Sequence, residues 1–124
     1  MSKKEDPVKI HREGTSFADK GQYKEASEKF AQAADLYLNV SDFFDASYAM
    51  YKAAECDFMM KDYETAVERF LKSADIALEK SFDRFGVSAL EYARDCYRAL
   101  KKKKEEAEMD KKIKELKAKL AEAF

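Results

Sequence analysis

The sequence predicts an all-α fold, a solenoid of about six antiparallel helices arranged as three hairpins. Three observations carry the prediction. The stretch Gly21 to Tyr37, GQYKEASEKFAQAADLY, returns 40 residues later as Lys61 to Ala77, KDYETAVERFLKSADIA, with six of 17 positions identical. The retained apolar residues step by three and four, which sets them on one face of a helix. Only three Gly and one Pro interrupt 124 residues rich in Ala, Leu, Lys and Glu, all good helix formers. A supersecondary unit repeated at a fixed period marks an array whose units bury their faces on one another.

The elements follow in order. Residues 1–5 are charged and expected to fray, and the domain occupies 6–124, with hairpins at about 6–40, 41–80 and 81–124. Asp6 can cap a helix, and Pro7 at the first helical position gives up an N–H that has no partner there. The first helix runs to about Lys20 with Ile10, Gly14 and Phe17 inward, and Gly21 stops it by taking a left-handed conformation. The second spans about Tyr23 to Asn39 and packs through Tyr23, Ala26, Phe30, Ala33 and Tyr37. Ser41 and Asp42 are candidate caps for the third, which reaches about Met60. Lys61–Asp62 turns into the fourth, about Tyr63 to Glu79. Ser81 repeats Ser41 at the 40-residue offset and heads the fifth, about Phe82 to Lys102. The last, about Glu105 to Ala123, keeps one apolar stripe, Met109, Ile113, Leu116 and Leu120, on a Lys/Glu-rich cylinder. That suits a terminal unit covered on one side only. A coiled-coil dimer through the same stripe is the alternative, though it offers barely two heptads.

Composition narrows the function classes. A net charge of −1 gives no field to recruit nucleic acid or an anionic membrane. Lys101 to Lys104 is followed at once by Glu105, Glu106 and Glu108, as on a solvated helix junction. No stretch approaches the 18 or more apolar residues that a membrane span needs, and MSKKEDPVK reads as no signal peptide. Cys56 and Cys96 lie one period apart among alanines and aromatics, as small buried hydrophobes and not as a disulfide, so a cytoplasmic location is expected. His11 is the single histidine, and no nucleophile motif or metal-ligand spacing accompanies it, so neither catalysis nor a metal or other cofactor is expected.

These residues resemble the tetratricopeptide repeat (TPR). Copy one matches that family's pattern at Ile10, Gly14, Phe17, Tyr23, Ala26, Phe30 and Ala33. Copy two matches at Met50, Ala54, Tyr63, Ala66 and Phe70, with Ser73 for the final Ala and Asp57 where an aromatic is usual. Copy three keeps Leu90 and Tyr97, but Arg94 replaces the small residue. The unit of 40 residues exceeds the usual 34 or so, and in this it is more similar to the SNAP vesicle-fusion adaptors. The first hairpin alone also looks like a microtubule-interacting-and-trafficking domain, which leaves the second copy unexplained. The resemblance implies a right-handed solenoid whose first-of-pair helices line a concave face. The TPR clamp for acidic chaperone tails would fall on His11, Thr15, Lys52, Ser88 and Tyr92, without its Asn residues or third-copy cation, so that ligand is disfavoured.

The third helix carries two apolar stripes. One is small: Ala46, Met50, Ala53 and Cys56 with Met60. The other, Tyr48, Tyr51 and Phe58 with Met59 beside it and Glu55 between, falls where the family's concave face lies. It is either a recognition groove or packing between neighbouring helices. The expected function is a protein–protein interaction adaptor or scaffold that binds a peptide or helix there. Its candidate residues are His11, Arg12 and Thr15 on the first helix, Tyr48, Tyr51, Lys52, Glu55, Phe58 and Met59 on the third, and Glu91 and Asp95 on the fifth. The alternative is a structural subunit of a larger or homo-oligomeric assembly with no free groove; self-association is the less expected arrangement.

Overall fold

The computed structural model describes residues 5–122 and contains, among them, six helices and no strand. They are α1 (Pro7–Asp19), α2 (Tyr23–Asn39), α3 (Phe43–Met59), α4 (Tyr63–Glu79), α5 (Asp83–Ala99) and α6 (Lys103–Glu122). Each helix packs on the next in the chain. Of the expected frayed segment, residues 1–4 lie outside the described residues, whereas Glu5 is exposed and accepts a hydrogen bond from Gln32 of α2.

The connections share one geometry. Each consists of three residues, and the middle one takes a positive φ: Gly21 (73°), Ser41 (59°), Lys61 (61°), Ser81 (64°) and Lys101 (60°). The residue after it donates its N–H back to a carbonyl five positions earlier, as Gln22 does to Phe17, Asp62 to Asp57 and Lys102 to Tyr97. That bond, with the one from the middle residue to the carbonyl three back, is the Schellman closure of a helix. Ser41 and Ser81 therefore end the preceding helices instead of capping the following ones. A side chain that accepts at a helix start belongs to Asp6 (from Val8 N, 3.0 Å), Asp42 (from Asp45 N, 3.3 Å) and Asp62 (from Thr65 N, 3.3 Å), while Phe82 before α5 makes no such bond.

The core follows the repeat. Phe30 and Phe70 are fully buried, and Ile10, Met50 and Leu90 occupy the matching positions at 20-residue steps. Alanines 26, 33, 34, 46, 49, 53, 54, 66, 74, 77, 89 and 93 have no exposed surface and let the helices approach closely. Gly14 is small for a reason: a Cβ there would stand 3.0 Å from the Phe30 ring. The four buried polar residues, Ser27, Ser47, Asp57 and Ser73, are paired. Ser47 Oγ donates to the Ser73 carbonyl (2.9 Å), and Ser73 Oγ donates to the Ser47 carbonyl (2.8 Å). Asp57 (α3) is fully enclosed and accepts from Ser27 of α2 (2.7 Å) and Arg69 of α4 (2.8 Å). Burial pushes its carboxyl upward, and Ser27 and Arg69 pull it back only in part.

At the far end Ile113 is buried, and Met109, Leu116 and Leu120 pack beside it against Val87 and Leu90 of α5. The stripe on α6 is thus occupied within the chain, which removes the basis for a coiled-coil dimer through it.

Candidate functional site

Helix α3 is the middle of the array, and its alanines and Met50 are buried between α2 and α4. Its remaining face meets α1 on one side and α5 on the other, through aromatic rings. Tyr48 stacks on His11 of α1 with centroids 5.8 Å apart and reaches Phe85 of α5 at 6.3 Å. Tyr51 is half-buried among Phe70 (5.4 Å), Phe85 (5.0 Å) and Tyr92 (5.6 Å), and its hydroxyl lies 3.5 Å from Ser88 Oγ. Loss of water around that phenol pushes its pKa up to about 12. Phe58, also half-buried, meets Tyr63 at 5.3 Å and Tyr92 at 6.1 Å.

The expected stripe therefore divides. Tyr51 and Phe58 lean towards α5 and fill the seam between helices, whereas Tyr48 (39% exposed) and Met59 (59%) stand in solvent. Phe44, one turn before Tyr48, is 49% exposed and was not anticipated; its four-residue step from Tyr48 was the available signal. It lies edge-on to Phe82 at 5.2 Å. Two shallow clefts flank Met59. One of about 180 Å³ is lined by Ala18, Tyr23, Phe30, Lys52, Glu55, Cys56 and Met59. The other, about 200 Å³, is lined by Glu55, Phe58, Met59 and Tyr92. Glu55 and Met59 border both.

Four of the charged candidates, Lys52, Glu55, Glu91 and Asp95, are in ion pairs. Lys52 pairs with Glu55 at 3.1 Å; burial pulls the ammonium's pKa down, but Glu55 first, then Tyr48 and Cys56, together leave it raised. Glu91 pairs with Lys117 of α6 at 3.1 Å, and Asp95 lies 3.4 Å from Arg94 and 3.9 Å from Arg98. Arg12 and Thr15 are exposed on α1, where Thr15 Oγ1 donates to its own helix at the His11 carbonyl (3.2 Å). His11 is set between Phe30 (centroids 4.8 Å apart) and Tyr48, and its Nδ1 is buried without a hydrogen-bond partner. Burial, then the Lys52 ammonium, lowers its pKa.

What this face can do is present apolar surface with a central ion pair. Both thiols are buried and free, with burial raising Cys56 to about 11 and Cys96 to about 12, so neither is a ready nucleophile. Among the described residues no cluster of three His, Cys, Asp or Glu could hold a metal ion, and no helix is long and apolar enough to cross a membrane. No family model matches the chain, and no curated protein matches it either.

Proposed function

We propose that this chain is a TPR-like, right-handed solenoid of three helical hairpins that serves in the cytoplasm as an adaptor, binding a helix or extended segment of a partner protein across the α1–α3–α5 face. Cross-helix pairs support the hairpin arrangement. On α5 and α6, Arg98 meets Glu106, Arg94 meets Asp110 and Glu91 meets Lys117, rising on one helix as they fall on the other. Ser47–Ser73 and Asp57–Arg69 run likewise between α3 and α4.

The observation that carries the binding reading is Met59, more than half exposed between two clefts that each have two aromatic rings in their walls. A flexible thioether beside open apolar clefts is suited to receiving side chains of a partner helix. The test compares the wild type with Met59→Glu as bait in a cytosolic pull-down, alongside melting curves. Proteins recovered at least tenfold less by Met59→Glu, at an unchanged melting temperature, support the assignment. Equal recovery by both baits removes this face as the binding site.

A further inference from the structure

We propose that the outer face of α3 also pairs with the same face of a second copy of the chain, antiparallel about a two-fold axis, forming a reversible homodimer. Four side chains define the face: Tyr48, Lys52, Glu55 and Met59. Their steps of four, three and four confine them to a sector of about 60° of the helix, and they extend over about 16 Å. Tyr48 and Met59 are the exposed apolar ends, and the Lys52–Glu55 pair, each side chain about one-third exposed, is the centre.

A two-fold axis midway between residues 53 and 54 exchanges position 48 with 59 and position 52 with 55. A single axis thus sets Tyr48 against Met59 of the second copy, and Lys52 against Glu55 of the second copy, twice over. The first contact is a thioether on an aromatic ring, which is attractive beyond area alone. The second closes the two internal ion pairs into a ring of alternating charge, which sets register more than affinity. Two-fold contacts require a patch that complements itself, and this one does. Any occupant of this face needs an apolar end, a central cation and anion in reversed order, and a second apolar end. That is the pattern of α3 itself. One helix face with its flanks belongs to the small interfaces, below about 1,200 Å² in total, so the dimer dissociates on dilution. It needs no outside partner, so self-association of the chain alone reads it; because it uses the Met59 face of the adaptor reading, dimer and bound partner exclude each other.

Sedimentation velocity over a concentration series of the full chain tests it with Lys52→Glu, Glu55→Lys and their equimolar mixture. The wild type should dimerise reversibly, and each reversal alone should weaken self-association at least tenfold by opposing like charges. The mixture should recover it as a heterodimer, because one chain then supplies two anions and the other two cations. A wild type that is monomeric at every concentration overturns the proposal. So does a reversal that dimerises like the wild type, or a mixture that stays monomeric. Met59→Lys, at a site 59% exposed, covers the case in which either reversal unfolds: undiminished dimerisation in that variant places the contact elsewhere and equally overturns the proposal.

Discussion

At the scale of single residues, two tyrosines one turn apart have opposite roles. Tyr51 is held by Phe70, Phe85 and Tyr92, so Tyr51→Ala opens a hole among three rings and should cost about 2–4 kcal/mol. Differential scanning calorimetry should show its melting temperature several degrees below the wild type, while Tyr48→Ala should remain within about two degrees. His11 offers a second outcome, in pH. Its folded pKa lies below the ordinary value because burial and Lys52 oppose the charged ring. The stability it confers is therefore complete above the unfolded pKa near 6.5 and is lost as pH falls through the lowered folded value. Melting temperature should drop between pH 7.5 and pH 5, and His11→Phe should flatten that dependence. An equal drop in His11→Phe would assign the effect to other groups.

Among the elements, the turns hold strain that composition concealed. Four of the five left-handed positions carry Ser or Lys, for which this conformation costs about 1 kcal/mol relative to Gly. Lys61→Gly and Ser81→Gly should each stabilise the chain by about 0.5–1 kcal/mol in urea titrations, with part of the relief returned as backbone entropy. Gly21→Ala should lose about 1 kcal/mol at the equivalent site. Helix positions were legible within one to three residues, because the period and the scarcity of breakers speak locally. The serines at 41 and 81 misled, since Ser suits the start of a helix and only one of five turns advertised itself with Gly. The division of the α3 stripe was hidden for another reason. Whether Tyr51 or Tyr48 is covered depends on what α5 carries at positions 85 and 92, and one helix read alone is silent on that. Asp57 likewise reads as a misplaced polar residue until Arg69 and Ser27 arrive from flanking helices.

Over the whole molecule, packing is chiefly between neighbours in the chain, so cohesion is a sum of local terms. The central helices α3 and α4 are covered from two sides, and the end helices from one. Hydrogen exchange should accordingly be slowest in α3 and α4 and fastest in α1 and α6, with protection falling towards both ends. Uniform protection across all six helices would mark a single cooperative unit instead.

The five turns lie at residues 21, 41, 61, 81 and 101, one every 20 residues, with a common hydrogen-bond closure. This regularity bears on how such a chain can grow. A 40-residue segment duplicated between two of these turns would arrive already in phase, each new helix meeting neighbours of a kind it already has. A single residue inserted inside a helix would instead swing everything beyond it by about 100°. The number of helices is thus open to change in steps of two, and the length of each helix is not.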